Sequence, residues 1–171
     1  MSHRTDRDPS DSGVQREIER DMLDWLNERH PDWHPVEWAS VASDLGLPPA
    51  WKKAKPDAVW KLADGRIAVA ECYARVDYLK TGHRRKLAMD AFKLLSLRDA
   101  VTDPNRLRCL LIVPEELDQQ LQTDGWLPLA ILKAAEVIAV RLTDGQRQKL
   151  REAVERQAAG QARTRKSGRG R

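Results

Sequence analysis

The chain has 171 residues, of which 41% are hydrophobic and 33% are charged, and its formal net charge is +4. These values fit one soluble globular domain, and they exclude an extreme charge that would by itself identify a partner. The two cysteines, Cys72 and Cys109, lie in apolar runs and are expected to be reduced core thiols of a cytoplasmic protein. No apolar segment reaches the ~20 residues of a membrane-spanning helix, so no membrane partner is expected.

The first predicted element is a helix from about Val14 to Arg29, in which apolar residues recur at helical spacing. Residues 1–12 before it are polar, lack the apolar region of a signal peptide and are expected to be disordered. Glu19 lies at the edge of the apolar stripe of this helix, whereas Glu17 points further toward solvent. Glu19 is therefore the better candidate for a carboxylate that points inward.

The segment from Pro31 to Lys53 has no single interpretation. A strand from about His34 to Val41 is one prediction, but Val36 to Leu45 also fits a short helix. The spacing of His30 and His34 resembles that of a metal-binding pair. Two prolines in the segment exclude a regular helical pair, so we favour a surface loop.

Two short strands joined by a tight turn are predicted between Lys55 and Arg75, with Asp64-Gly65 as the turn signal. A two-residue loop would place Asp57 opposite Cys72, with Glu71 on the other side of the sheet. A three-residue loop, Ala63-Asp64-Gly65, would place Asp57 opposite Glu71. We favour the three-residue loop, because it collects the polar side chains on one face of the hairpin.

Asp57 and Glu71 suggest a metal site on this hairpin. Two carboxylates on facing strands, with Cβ atoms about 5 Å apart, destabilise the sheet unless a positive charge lies between them. A hard divalent cation prefers oxygen ligands and can activate water or polarise a phosphate. The expected cofactor is therefore Mg²⁺ or Mn²⁺.

A helix is predicted next, from about His83 to Asp99. Lys86, Asp90 and Lys93 share one flank of its apolar stripe, because they are separated by four and three residues. Two interpretations of this cluster stay open. The three side chains either form ion pairs through Asp90 on the helix surface, or they take part in the function.

The remaining elements continue the alternation of strands and helices. They are a buried central strand (Leu107–Val113), a short helix (Glu115–Gln122), an apolar segment (Leu127–Ala135), a strand (Val137–Leu142) and a last helix. Thr143 and Gln146 have the spacing of a capping box at the start of this last helix. The end of the chain, residues 160–171, is rich in Arg, Gly and Ser and is expected to be a flexible basic tail.

The order helix, strand, hairpin strands, helix, strand, with Pro56-Asp57 and Glu71 on the hairpin, resembles the PD-(D/E)XK nuclease superfamily. The run Arg16-Glu17-Ile18-Glu19-Arg20 is similar to the first helix of archaeal Holliday-junction resolvases within that superfamily. The resemblance covers roughly residues 13–113. It implies an α/β fold with a restriction endonuclease-like αβββαβ core, in which helices flank a central mixed sheet. A C-terminal helix-strand-helix extension would complete a single nuclease-like domain of residues 13–159.

The resemblance also implies roles for the acidic residues. Asp57 and Glu71 would be metal ligands, with the backbone carbonyl of Cys72 as a further oxygen ligand. Glu19 would assist, either through a metal-bound water or at a second metal.

The chain departs from the superfamily pattern at Tyr73, which stands where the motif lysine should be. A neutral phenol with a pKa of about 10 cannot supply the positive charge that this lysine brings to the transition state. Some members of the superfamily supply the lysine from another element. Lys86 and Lys93 are the preferred candidates for this role, ahead of Lys55.

The leading functional hypothesis is a Mg²⁺-dependent nuclease that hydrolyses DNA phosphodiester bonds. A catalytically inactive DNA-binding or assembly protein of the same fold is the alternative, which Tyr73 motivates. A protein-interaction domain is the third. Nucleases of this fold often work as dimers, so a homodimer is also considered. The residues expected to bind DNA phosphates are Arg75, Lys80, His83, Arg84 and Arg85.

Overall fold

The computed structural model describes residues 11–123 and 125–167, which fold into a five-stranded mixed sheet flanked by helices. The helices are α1 (Asp11–Arg29), α2 (Trp38–Asp44), α3 (Thr81–Ala100), α4 (Glu115–Leu121), α5 (Trp126–Ala134) and α6 (Asp144–Ser167). The strands are β1 (His34–Pro35), β2 (Ala58–Lys61), β3 (Ile67–Cys72), β4 (Leu107–Pro114) and β5 (Glu136–Val140). The mixed α/β class that the sequence predicts is confirmed.

The strands lie in the sheet in chain order, from β1 to β5. The pairs β1–β2 and β2–β3 are antiparallel, and the pairs β3–β4 and β4–β5 are parallel. β4 is an interior strand between β3 and β5, and it is buried as its continuous apolar sequence predicts, since residues 110–113 have no exposed surface. None of the described helices has the length and hydropathy needed to cross a membrane.

Each face of the sheet carries its own apolar layer. On one face, α1 packs through Ile18, Met22 and Leu26 against the β2–β3 hairpin, where Ala68 and Ala70 leave room for a close helix. On the other face, the side chains of β3 and β4 meet helices α2, α3, α4 and α5. The alternation of side chains along the hairpin therefore decides which helix each residue meets.

The β2–β3 hairpin has the three-residue loop that we favour from the sequence. Leu62 N–H donates to the carbonyl of Arg66 at 2.9 Å, and these two residues close the loop. The paired positions of the strands include Ala58 with Ala70 and Trp60 with Ala68, as that loop requires. Gly65 has a φ of +83°, the left-handed conformation that glycine adopts without a steric cost.

Replacing Gly65 with alanine is expected to lower the free energy of unfolding by about 1 kcal/mol, because an L-residue is strained in this conformation. A Cβ at Gly65 would meet no atom within 4 Å, so the cost is purely conformational. Gly82 in α3 is a matched control, because it is equally open and has no positive φ. The free energy of unfolding of both variants would be measured by urea titration, in which Gly82→Ala should be neutral or slightly stabilising. Equal effects of the two substitutions would contradict this account of the turn.

Several predicted boundaries are wrong. The strand expected over His34 to Val41 is limited to the two residues of β1, whereas the alternative, a short helix within Val36 to Leu45, is confirmed as α2. Trp38 and Val41 are both buried at helical spacing, and Trp38 Nε1 donates to the carbonyl of Trp51 at 2.8 Å, which anchors α2. The expected C-terminal extension also has one helix more than predicted, because the apolar segment before β5 forms α5.

Both expected ends of the domain also differ. α1 begins at Asp11, inside the segment predicted to be disordered, and residues 1–10 lie outside the described residues. α6 continues to Ser167, so the predicted start of a flexible tail at residue 160 falls inside a helix. Ala, Gln, Arg and Lys recur in this part of the chain and are good helix formers. Residues 168–171 of the predicted tail lie outside the described residues.

The capping box at the start of α6 is confirmed. Gln146 N–H donates to Thr143 Oγ1 at 3.2 Å, and Thr143 N–H donates to Gln146 Oε1 at 2.9 Å. The two side chains therefore satisfy backbone groups reciprocally at this helix end.

Candidate active site

Asp57 lies directly before β2, and its carboxylate reaches across to β3. Its backbone N–H donates to the carbonyl of Ala70 at 3.0 Å, and its Oδ2 accepts a hydrogen bond from Cys72 N–H at 2.8 Å. Ala58 is already paired with Ala70, so one-to-one pairing ends there. Asp57 and Glu71 therefore lie just beyond the regular pairing rather than at paired positions. The hydrogen bond from Cys72 fixes the orientation of the Asp57 carboxylate.

Glu71 is a buried carboxylate, with 5% of its surface exposed, and it is paired with Lys93 of α3. Lys93 Nζ lies 2.5 Å from Glu71 Oε1 and 3.0 Å from the backbone carbonyl of Lys55. Burial raises the pKa of Glu71 to about 7, although the hydrogen bond and charge of Lys93 act in the opposite direction. The negative charges of Asp57 and Asp90 add to the increase. These interactions bring residues from the hairpin and α3 together.

Glu19 reaches the same region from α1. Its Oε1 accepts hydrogen bonds from Gln15 Nε2 at 2.8 Å and from Ala74 N–H at 3.3 Å. Burial raises the pKa of Glu19 above its ordinary value, and the charge of Asp57 contributes to the shift. Glu19 thus points toward the sheet, as its place at the edge of the apolar stripe predicts. Gln15 was missed in the sequence, although its distance of four residues from Glu19 is a usable signal.

Lys86 has a different environment from Lys93. Its Nζ lies 2.8 Å from Asp90 Oδ2, which is the helix-surface ion pair considered in the sequence. The same Nζ lies 4.8 Å from the centre of the Tyr73 ring. Burial works against the charged form of Lys86, but Asp90, Glu19 and Asp57 together raise its pKa. Lys86 therefore stays positively charged beside the acidic residues.

Tyr73 is 2% exposed and belongs to the apolar layer on the α3 side of the sheet. Burial raises the pKa of its phenol, so the group stays protonated at neutral pH. The preceding thiol, Cys72, is also buried, and burial strongly raises its pKa. Both residues are therefore uncharged parts of the core beside the acidic residues Asp57, Glu71 and Glu19.

No family model, curated protein or solved structure matches this chain. Inference about function therefore rests on the arrangement of its own side chains.

The acidic residues fit a hard cation better than a soft one. Within residues 11–123 and 125–167, no three or more His, Cys, Asp or Glu side chains are grouped so as to hold a metal ion. Mg²⁺ does not need such a group, because it usually binds one or two carboxylates and keeps several waters. Asp57 and Glu71 could supply these carboxylates. Zinc sites usually include His nitrogen or Cys sulfur ligands, and Cys72 is a poor candidate because burial favours its neutral thiol.

The side chains expected to bind phosphate fall into two groups. Lys80, Arg84 and Arg85 are exposed around the start of α3. His83 is partly buried, and its Nδ1 accepts a hydrogen bond from Lys80 N–H at 3.3 Å. Burial lowers the pKa of His83, which favours the neutral ring. Arg75 is also partly buried, and its Nε has no hydrogen-bond partner. The exposed group is thus better placed to meet a large anionic ligand.

Proposed function

We propose that this chain is a Mg²⁺- or Mn²⁺-dependent nuclease that hydrolyses DNA phosphodiester bonds. The observation that carries the proposal is the ammonium of Lys93, 2.5 Å from the buried carboxylate of Glu71. Two acidic residues from one hairpin and a lysine are the groups that the resembled motif brings together. Here α3 supplies the lysine that Tyr73 replaces in the sequence.

The order of the elements supports the finer assignment to a restriction endonuclease-like core. α1, the antiparallel strands β1, β2 and β3, then α3 and the parallel strand β4 give an αβββαβ order, with α2 as an insertion after β1. In this assignment, α4, α5, β5 and α6 form an extension beyond the core. Because one fold can carry many functions, the proposal depends on the site more than on the topology.

Each acidic side chain would have a distinct task. A bound cation would polarise the phosphate and lower the pKa of a water molecule. Asp57, held by Cys72 N–H, would orient one side of the cation site, and Glu71 would provide a second oxygen ligand from the protein interior. Glu19, held by Gln15 and Ala74, would accept hydrogen bonds from ordered water.

Lys93 would have two tasks. With no cation bound, its ammonium neutralises the Glu71 carboxylate, which otherwise would be costly to bury. During hydrolysis, the same ammonium would stabilise the negative charge that develops on the phosphate oxygens. Its side chain is only partly buried, with 28% exposed, so it can turn toward a substrate.

A catalytically inactive DNA-binding or assembly protein is the second candidate. It is favoured by Tyr73, which removes the lysine from its usual place. In such a protein, the ion pair of Lys93 with Glu71 would be purely structural. The two candidates make different predictions for DNA cleavage but the same prediction for DNA binding.

Purified protein is expected to nick supercoiled DNA with Mg²⁺ or Mn²⁺ and to lose this activity in EDTA. Asp57→Asn and Glu71→Gln should each lower the rate by about 10²-fold or more, because each removes a charge that the cation needs. Glu17→Gln is a matched control on α1, since Glu17 is exposed and bonded to Lys149 on the surface. It should retain full activity. Thermal unfolding must show that every variant is folded.

Three outcomes would contradict the proposed nuclease. Cleavage that survives both substitutions would place the activity elsewhere. Salt-dependent DNA binding with no cleavage in either metal would favour the inactive protein. The absence of both DNA binding and metal-induced thermal stabilisation would favour a protein-interaction domain.

A further inference from the structure

A second candidate site lies where the connection between β3 and α3, residues 73–80, enters α3. It is a cavity of about 390 Å³, bounded by that connection, the end of α4 and the start of α5. Three buried leucines contribute apolar walls: Leu79, Leu121 and Leu127. The volume falls in the range of small-molecule sites, which is about 300–1,000 Å³.

Two large aromatic side chains line this cavity while remaining mostly in solvent. Tyr78 is 71% exposed and Trp126 is 76% exposed. They belong to segments far apart in the chain, and the fold brings both to one opening. Exposed aromatic rings beside an apolar cavity offer flat surfaces on which a planar ligand can stack.

Arg84 adds a positive charge to the same cavity. Its Nη2 donates to Tyr78 Oη at 3.0 Å, and its Nε donates to the carbonyl of Leu79 at 3.2 Å. Its guanidinium carbon lies 5.6 Å from the centre of the Tyr78 ring. These two bonds engage two of the five N–H groups of a guanidinium, so others can bind an anion. Arg84 is thus oriented by the protein before any ligand arrives.

The backbone around the cavity is fixed by Gln120 of α4. Gln120 Oε1 accepts a hydrogen bond from Leu79 N–H at 3.0 Å, and its Nε2 donates to the carbonyl of Asp77 at 3.2 Å. A single amide side chain therefore ties the β3–α3 connection to α4. A cavity that is formed in advance avoids part of the ordering cost of binding.

We infer that this cavity binds one unpaired nucleobase of a DNA substrate, with Arg84 on its phosphate; this inference rests on the proposed function. Aromatic stacking needs no particular base, because every base has a flat π face. A base inside a duplex can enter such a cavity only after it is unpaired and unstacked, which costs a few kcal/mol. The preferred DNA would therefore carry a single-stranded tail, a flap or a displaced base.

The position of the cavity along α3 limits the path of the DNA. Arg84 and Lys93 are separated by about 13 Å along the helix axis and lie on opposite flanks of α3. A strand joining them must cross the amino-terminal half of α3, where Arg85 is exposed, as is Lys80 directly before the helix. The path of the strand is longer than this axial separation, because an α-helix with its side chains is about 10–12 Å wide, so the cut is expected a few nucleotides from the bound base.

The test measures binding in EDTA, where no cleavage occurs. Fluorescence anisotropy would compare a blunt duplex with a duplex of the same sequence that carries an unpaired tail. Trp126→Ala and Tyr78→Ala should each weaken binding of the tailed DNA by about 5- to 100-fold and leave blunt-duplex binding within about twofold. Arg84→Ala should also act mainly on the tailed DNA.

Two substitutions on α3 serve as matched controls. Phe92 is 63% exposed but does not line the cavity, so Phe92→Ala should leave both affinities unchanged. Arg85 is exposed and outside the cavity, so Arg85→Ala should weaken tailed and blunt DNA by the same factor. A free deoxynucleoside monophosphate, added as a competitor at micromolar concentration, should not displace the tailed DNA.

The outcomes separate this inference from the proposed nuclease. Unchanged binding of tailed DNA by the cavity variants, or an equal loss for both DNAs, would overturn the inference even if the protein cleaves DNA. Displacement by the free nucleotide would overturn it in favour of a nucleotide site. A selective loss for tailed DNA would support the inference even if no metal activates cleavage, and the nuclease proposal would then fail alone.

Discussion

Substitution of Lys93 by methionine is expected to lower the rate of DNA cleavage by about 10²- to 10³-fold, because it removes a positioned positive charge. Methionine keeps an unbranched side chain of similar length, so the packing of α3 on the sheet should change little. The measurement is the single-turnover rate of plasmid nicking at saturating Mg²⁺. Lys93→Arg should retain part of the activity, since it keeps the charge but not the compact ammonium.

Lys86→Met is the matched comparison on the same helix. Lys86 is bonded to Asp90, and 48% of its side chain is exposed, so its removal should reduce the rate less than the removal of Lys93. The opposite ranking would contradict the assignment of Lys93 as the replacement for the motif lysine. Equal and small effects of both substitutions would show that no lysine of α3 has that role.

A purely structural role for Lys93 would give a different pH profile. Loss of its ammonium leaves Glu71 buried without a partner, which raises the pKa of Glu71 further. If the variant were slow only because Glu71 stayed protonated, its rate would recover at high pH. If Lys93 stabilises developing charge on the phosphate, the rate should remain low up to pH 9. The pH dependence therefore separates the two roles.

The hairpin register could be predicted from sequence because local chemistry determines it. Gly65 supplies the left-handed residue of the loop, and only the register of the three-residue loop collects the polar side chains of the hairpin on one face. The place of Lys93 could be predicted only in part. Helical periodicity puts Lys86 and Lys93 on one flank, but which amine reaches Glu71 depends on where α3 crosses the sheet.

The features that could not be predicted from the sequence depend on contacts between residues that are far apart in the chain. α2 is anchored by the hydrogen bond from Trp38 Nε1 to the carbonyl of Trp51, and no local sequence pattern predicts this bond. The cavity likewise depends on the fold bringing Tyr78 and Trp126, which are far apart in the sequence, to one cavity. Six tryptophans occur in the chain, and periodicity alone does not distinguish exposed Trp126 from buried Trp60. Tertiary packing determines both the anchoring of α2 and the cavity. The intrinsic secondary-structure propensity of a residue is a weak predictor of such packing.

The stability of the metal-free protein should reveal the burial of Glu71. The pKa of Glu71 is about 7 in the folded protein, against an ordinary value of 4.5. Folding thus favours the neutral form of Glu71. This preference contributes fully to the free energy of unfolding below pH 4.5, and the contribution is lost as the pH rises from 4.5 through 7. The total loss is up to about 3 kcal/mol of the free energy of unfolding.

Glu71→Gln keeps the neutral form at every pH and should remove this dependence. Urea titrations in EDTA from pH 4.5 to 8 would therefore show wild-type stability falling relative to the variant. Glu17→Gln is the control, because the Lys149 hydrogen bond lowers the pKa of Glu17 and its contribution is lost only toward acidic pH. A constant difference between wild type and Glu71→Gln would show that the Lys93 ion pair fully offsets the burial of Glu71.

Mg²⁺ should increase the stability of the protein in the pH range where ionisation of Glu71 lowers it. A cation that binds the folded protein raises the free energy of unfolding, and protons compete with it for the Glu71 carboxylate. The increase in melting temperature on adding Mg²⁺ should consequently be larger at pH 8 than at pH 6, and it should be absent in Asp57→Asn. An equal increase at both pH values would mean that the cation does not bind the Glu71 carboxylate, because the pKa of Glu71, about 7, lies between them.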